Sequence, residues 1–242
     1  SITTEDLYFT AKEELMKNYD LFEKNLLRQL FLIMEGGCAT RLKAGNRLYV
    51  KEWHELNRLC VEKKLHIYET QNFIHPMTAH NMLNIAFWNK EIKWIDLFIN
   101  EHQNEFPHEF RNYLTTIGHV YLHILRKEYD YALKLLTTID DSLIAFKIRV
   151  RTLQLIMYYE LNEYELALNG LDSFKHFVSN NKEKFSHIEK SGIIKFLSIY
   201  EQLLKFRFGN IEISVKKLNK RIMEEIPSQS FDWLLEKTAE LS

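Results

Sequence analysis

The sequence predicts an all-α fold of about eleven helices arranged as stacked helical hairpins. The first observation is a short motif, in which two polar residues precede apolar residues two positions apart. Its copies begin at residues 45, 90, 127, 162 and 209, at intervals of 45, 37, 35 and 47 residues. Such a period in helical sequence is typical of helical-hairpin arrays. The second is the content of only 7 Gly and 3 Pro, too few for a turn-rich β fold.

The first helices follow from caps, breaks and apolar spacing. A helix is expected over residues 3–18, because the hydroxyl and acidic side chains that open it suit the free N–H groups of a helix N-terminus. A second, over residues 21–43, carries apolar residues at three- and four-residue spacing. Its Gly36-Gly37 pair costs about 2 kcal/mol relative to alanine, which predicts a kink or break, or else close packing against a neighbour. The alternative is a close approach of the backbone to a ligand.

The later helices are delimited in the same way. A Gly-Asn turn precedes the helix expected over residues 47–64. The next helix is expected over residues 74–88 and has Pro76 near its start, where the missing N–H of proline costs least. Another begins near Glu91 and ends before Pro107. The remaining helices are expected over residues 109–125, 129–138, 142–161, 164–179, 183–208, 211–225 and 230–241. The connecting loops are short, so neighbouring helices should pack antiparallel.

Composition limits the classes of partner. The 32 basic and 33 acidic residues give a net charge of −1, which favours neither a polyanion nor a membrane surface as partner. No apolar run approaches the roughly 18–20 residues of a membrane span, and no signal peptide is visible. Cys38 and Cys60 belong to no paired motif, so we expect two reduced, buried thiols and a cytoplasmic protein.

Residues 149–174 resemble a tetratricopeptide-repeat (TPR) unit. Tyr158, Tyr164 and Ala167 fall at the aromatic and small-residue positions of that family, and Asn162 stands at its usual turn glycine. Asn tolerates the left-handed conformation that this turn requires. Leu155 occupies a position where the family prefers a small residue, so we expect the packing between the two helices to open slightly there.

From about residue 18 to its end, the chain resembles an uncharacterised Bacteroidetes family of TPR-like helical proteins. The resemblance rests on residues 94–99, 171–177 and 233–237. It implies a right-handed α-α superhelix and no known activity. We expect a single TPR-like domain over residues 1–242. Because such arrays usually end a longer chain and this sequence begins at Ser1, we expect it to be the C-terminal part of a longer protein.

The fold predicts a non-catalytic scaffold for protein–protein interaction, because stacked hairpins form an extended concave surface. This is a fold-level analogy. The groove positions of TPR proteins correspond to Arg149, Thr152, Ile156 and Tyr159, where Arg149 would pair with an acidic ligand. The alternative is a structural or regulatory segment of a larger protein, in which intramolecular contacts fill the groove. The amphipathic last helix, with Phe231, Leu234 and Leu235, would then cap the array.

Candidate chemistry is sparse. His119 and His123 have the i, i+4 spacing of metal ligands, but Val120 replaces the glutamate of zinc hydrolases and no third ligand is identifiable. His75 and His80 could form a ligand pair in a loop, but Thr78 between them is better explained as a helix cap, and we expect both histidines to be solvated. The pair of aspartates at residues 140–141 is likewise explained as helix capping. With no nucleophile and base in a supporting pattern, we predict no enzyme activity, no cofactor and no metal.

One basic cluster predicts a third, weaker function, nucleic-acid binding. It comprises Lys205, Arg207, Lys216, Lys217, Lys220 and Arg221. Phe206 and Phe208 are available to stack on bases. The chain lacks the domain-wide basic charge of nucleic-acid binders, however, and nearby glutamates neutralise the cluster. We therefore expect a solvated helix face.

Overall fold

The computed structural model describes residues 4–67, 72–139, 143–209 and 214–241. These residues form twelve α-helices: α1 (Thr4–Lys17), α2 (Lys24–Lys43), α3 (Leu48–Glu62), α4 (Pro76–Trp88), α5 (Ile92–His102), α6 (His108–Leu125), α7 (Tyr129–Thr137), α8 (Ile144–Glu160), α9 (Tyr164–Asn180), α10 (His187–Gly209), α11 (Val215–Met223) and α12 (Gln229–Ala239). Apart from an isolated bridge between Ile67 and Ile74, the described part contains no β-structure. The all-α prediction is confirmed, and twelve helices are close to the expected eleven.

Neighbouring helices pack in pairs within two compact units, Ser1–Leu114 and Thr115–Ser242. In the first unit α2 packs on α3, α3 on α4 and α4 on α5. In the second, α7 packs on α8, α8 on α9 and α9 on α10, and α12 packs on both α11 and α10. None of the helices in the described ranges is long and apolar enough to cross a membrane.

Each unit has its own core of aliphatic and aromatic side chains. In Ser1–Leu114 the fully buried residues include Phe31, Leu56, Met82, Ile95 and Phe106. In Thr115–Ser242 they include Tyr121, Phe146, Tyr159, Phe174 and Tyr200. Cys38 and Cys60 are buried and unbonded to each other, as predicted. The three- and four-residue spacing of aromatic residues in the sequence therefore marks the sides of helices that face other helices.

The recurring motif forms the same turn at four of its five copies. The first residue of each copy has a positive φ: 95° at Gly45, 61° at Lys90, 62° at Lys127 and 62° at Asn162. Its N–H donates to the carbonyl three residues earlier, and the next N–H donates to the carbonyl five residues earlier. These two bonds define the Schellman ending of a helix. Four of the six residues in the fifth copy, 210–213, lie outside the described ranges.

The Gly36-Gly37 pair does not break α2, which runs continuously from Lys24 to Lys43. The expected break is wrong, and the alternative of close packing applies at Gly37. A Cβ atom there would lie 3.4 Å from the Tyr8 ring and 3.3 Å from Nη1 of Arg41, whereas one at Gly36 would meet nothing. Tyr8 of α1 thus packs over Gly37, and burial of Met34, Cys38 and Leu42 on α2 offsets the low helix propensity of glycine.

Glycine also explains how α8 and α9 pack around Leu155. A Cβ atom on Gly170 would lie 3.1 Å from Leu155 Cδ2 and 3.2 Å from the Tyr158 ring. The small residue that the TPR pattern places on the first helix is therefore supplied here by the second helix. Leu155 is buried in this contact. The expected slight opening between the two helices stays a prediction.

Candidate functional site

The last helix, α12, lies on the side of α8 that carries the predicted groove residues. Trp233 is the central contact, because its ring meets Tyr159 edge-on at 5.2 Å and lies 6.2 Å from Tyr200. Its Nε1 donates a 2.7 Å hydrogen bond to Oε1 of Glu160. Phe231 meets Phe196 of α10 edge-on at 6.4 Å. The helix is thus held by an aromatic cluster and by a polar contact at its edge.

Lys237 adds a buried charge to this contact. Its Nζ lies 2.9 Å from Oε1 of Glu160 and 2.8 Å from Oε1 of Glu240. Burial alone lowers the pKa of this lysine, but the hydrogen bonds to Glu240 and Glu160 and the charges of both carboxylates outweigh burial, so the pKa is raised. Lys237 is therefore charged at neutral pH and is neutralised within the protein.

An open apolar groove adjoins this contact, between α8, α10 and the chain that leads into α12. Its volume is about 370 Å³. Ile148 and Thr152 line it from α8, and Ile188, Gly192 and Phe196 line it from α10. Ile226 and Phe231 close the third side. Ile188 is 63% exposed and Ile226 is 42% exposed, so the groove presents apolar side chains to solvent.

The four predicted groove residues share one side of α8 but differ in accessibility. Tyr159 and Ile156 are buried, at 1% and 2% exposure. Thr152 lies at the edge of the open groove, and its hydroxyl donates to the Ile148 carbonyl. Arg149 is half-buried and donates through Nε to the Tyr121 hydroxyl at 2.8 Å and through Nη1 to Oε1 of Gln229 at 3.1 Å. Their role in peptide binding stays a prediction, and a ligand reaches Tyr159 only if α12 moves.

The basic cluster is partly engaged inside the protein. Lys205 lies 2.8 Å from Glu201, and Arg207 donates to the Tyr159 carbonyl while its guanidinium lies 4.4 Å from the Tyr159 ring centre. Arg221 bonds Gln202 of α10. Phe208, one of the two proposed stacking residues, packs on Tyr164. Lys216 and Lys217 are exposed. These contacts support the expected solvated face more than a nucleic-acid site.

The histidines singled out in the sequence are not brought together as ligands. Nδ1 of His123 lies 2.6 Å from Oε2 of Glu128, and His119 is exposed on the same helix. His75 is exposed as expected, and it is His75 rather than Thr78 that occupies the N-cap position of α4. The expectation that His80 is solvated is wrong, because His80 is buried with Nδ1 3.0 Å from the Tyr113 hydroxyl. The aspartates at residues 140–141 lie outside the described ranges.

A different histidine cluster was not found from the sequence. His66, His102 and Glu105 each place one ligand atom within 4.8 Å of the others, and no other such group of three exists among the described residues. Oε2 of Glu105 lies 2.6 Å from His102 Nδ1 and 3.4 Å from His66 Nε2. Only the i, i+3 spacing of His102 and Glu105 was visible in the sequence, because His66 joins them through the fold.

No protein-family model, curated protein or solved structure matches the chain. The resemblance to TPR-like proteins therefore stays a prediction.

Proposed function

We propose that this protein is a non-catalytic, TPR-like scaffold of the cytoplasm, which binds a partner protein at the groove between α8 and α10. The observation that carries the proposal is the exposed apolar lining of that groove. Ile188 and Ile226 stand at its mouth, and Ile148 and Phe196 form its floor. Apolar surface that remains open to water at a concave site is typical of a binding surface.

The occupant we propose is an amphipathic helix of the partner protein. The molecule already binds such a helix on the same side of α8, since α12 inserts Phe231 and Trp233 between α8 and α10. Apolar anchors at three- and four-residue spacing suit a groove of this type. Glu189 is the acidic residue among those that line the groove, so we expect a lysine or arginine beside the anchors of the partner helix.

A second candidate function is favoured by α12 itself. Tyr159 and Ile156 are covered, and Arg149 is bonded to Gln229, so part of the predicted peptide surface is occupied within the chain. On this reading the Thr115–Ser242 unit is a structural or regulatory segment whose groove serves intramolecular contacts. Nucleic-acid binding is supported least, because Lys205 and Arg207 already have partners.

The test begins with affinity capture from a lysate on the purified protein, followed by mass spectrometry. Helical peptides from each captured protein are then titrated against the wild type and the Ile188→Glu variant by fluorescence anisotropy. We expect Ile188→Glu to weaken binding by at least about tenfold, because it buries a charge against the anchor side chain of the peptide. Met223→Glu is the matched control, since Met223 of α11 is exposed to a similar extent, 72% against 63% for Ile188, and is not among the residues that line the groove.

Peptides that bind wild type and Ile188→Glu equally would overturn the scaffold proposal, as would the absence of any direct binder. The Trp233→Phe variant, which loses the hydrogen bond to Glu160 but keeps most of the apolar contact, separates the two candidates. If α12 competes with the partner, weakening its contact increases peptide affinity. If α12 is a permanent part of the site, the same variant lowers the affinity or leaves it unchanged.

A further inference from the structure

His66, His102 and Glu105 meet where the turn after α3 lies against the end of α5. The two imidazole rings are 4.9 Å apart and nearly perpendicular. The side chain of His66 is 1% exposed, that of His102 is 16% exposed and that of Glu105 is 31% exposed. The cluster is therefore buried on the His66 side and reachable from solvent on the Glu105 side.

The orientation of His66 leaves one buried nitrogen without a hydrogen-bond partner. Its Nδ1 lies 3.4 Å from the Cys60 carbonyl oxygen, which only accepts, so Nδ1 carries the ring proton. Nε2 is buried, makes no hydrogen bond within the described structure and faces the Glu105 carboxylate at 3.4 Å. A buried nitrogen lone pair thus faces a carboxylate oxygen. A bound cation satisfies both acceptors at once.

Contacts from other elements hold the backbone at His66 and Glu105 in place. Arg28 of α2 donates through Nε to the Leu65 carbonyl at 2.8 Å and through Nη2 to the Ile67 carbonyl, which fixes the backbone on both sides of His66. The Ile74 N–H donates to the Glu105 carbonyl at 2.8 Å. The contact of His66 Nδ1 with the Cys60 carbonyl is of the kind that orients a metal-binding histidine from outside the ligand set.

We propose that His66, His102 and Glu105 bind one Zn²⁺ ion, with a fourth position open to water. Two imidazole nitrogens and one carboxylate oxygen form a ligand set that zinc accepts in tetrahedral sites. Calcium and magnesium require more oxygen ligands than this cluster offers. The bound ion joins the turn after α3 to the end of α5, and it takes the place of the proton between His102 Nδ1 and Glu105.

The test is zinc titration of the untagged, metal-free protein by isothermal calorimetry, with thermal melting and Co²⁺ absorption as independent readouts. We expect one Zn²⁺ per chain, a higher melting temperature with zinc and a visible Co²⁺ spectrum of tetrahedral intensity. Glu105→Gln and His102→Gln should each weaken zinc binding by at least about 100-fold, because even the loss of an outer contact costs 10–100-fold. Far-UV circular dichroism checks that both variants remain folded.

The chain supplies a matched control in His123 and Glu128, which make the same 2.6 Å contact. Glu128→Gln should bind zinc as the wild type does. The proposal is overturned if the wild type binds no Zn²⁺, or if Glu105→Gln and Glu128→Gln bind it equally well. A merely structural role for the Glu105 contacts would lower the melting temperature of metal-free Glu105→Gln while leaving zinc affinity unchanged, and that outcome also overturns it.

Discussion

The indole Nε1 of Trp233 and the Lys237 ammonium bind the same oxygen atom, Oε1 of Glu160, at 2.7 and 2.9 Å. Trp233 and Lys237 are one helical turn apart on α12, and Glu160 is the last residue of α8. Trp233 and Lys237 are both buried. A single carboxylate therefore fixes both the position and the rotation of α12 on the side of α8.

Removal of the Trp233 side chain should strongly destabilise the Thr115–Ser242 unit. We expect Trp233→Ala to cost about 3–5 kcal/mol of unfolding free energy, because it empties a buried aromatic site. Trp233→Phe keeps most of the apolar contact and loses the N–H donor, so it should cost about 1–2 kcal/mol. Urea unfolding followed by circular dichroism at 222 nm measures both.

Met223→Ala controls for loss of apolar surface on the neighbouring helix, because Met223 is 72% exposed. It should change stability by less than about 0.5 kcal/mol. Equal stability of Trp233→Ala and Met223→Ala would show that α12 is not fixed to α8 in solution.

The contact between α12 and α8 could be predicted from the sequence only in part. The amphipathic pattern at Phe231 and Leu234 predicted a capping helix, and both residues are buried. The pairing of Trp233 with Glu160 joins residues 73 positions apart, and local spacing carries no information about it. For the same reason His66 could not be recognised from the sequence as a metal ligand. The turn at Asn162 was predicted, because it depends on neighbouring residues alone.

Lysine in a left-handed turn is a local strain that substitution can relieve. Lys127 has a φ of 62° and an exposed side chain. We expect Lys127→Gly to raise the unfolding free energy by about 0.5–1 kcal/mol, because relief of the left-handed strain exceeds the added entropy of glycine in the unfolded chain. Asn162→Gly should gain less, since asparagine tolerates this conformation better.

Lys51→Gly is the matched control for that prediction, since Lys51 is exposed inside α3. It should lose about 1 kcal/mol. Chemical denaturation of the three variants and the wild type under the same conditions measures these changes in unfolding free energy. A loss of stability in Lys127→Gly similar to that of Lys51→Gly would mean that the turn does not hold the left-handed conformation.

The two cysteines should be unreactive while the protein is folded. Burial raises the pKa of Cys38 to about 11 and that of Cys60 to about 12. At pH 8 only about one Cys38 in a thousand is then a thiolate, and access is blocked as well. Reaction with Ellman's reagent should release no colour from the native protein within minutes and should detect two thiols in guanidinium chloride. Asn100→Cys adds an exposed thiol on α5 as a positive control. A rapid reaction of the native wild-type protein would show that Cys38 or Cys60 is not buried in solution.

Ionisation of the buried Glu35 carboxyl should lower the stability of the Ser1–Leu114 unit as pH rises. Burial raises the pKa of this carboxyl from 4.5 to about 7, in a cavity shared with Arg28, Cys60 and His66. Below pH 4.5 it is protonated in both states and has no effect. Between pH 4.5 and 7 only the folded state keeps the proton, so stability is lost with rising pH, and above pH 7 the loss stays constant.

The Glu35→Gln variant isolates that effect, because glutamine keeps the shape of the protonated acid and never ionises. The unfolding free energy of Glu35→Gln minus that of wild type should be near zero at pH 4.5. This difference should increase through pH 6 and reach on the order of 3 kcal/mol at pH 8. Urea midpoints at the three pH values measure the difference directly. Glu13→Gln is the control for the Glu→Gln exchange itself, since Glu13 is exposed on α1. A Glu35→Gln difference that is equally flat from pH 4.5 to 8 would show that this carboxyl is solvated in the folded protein.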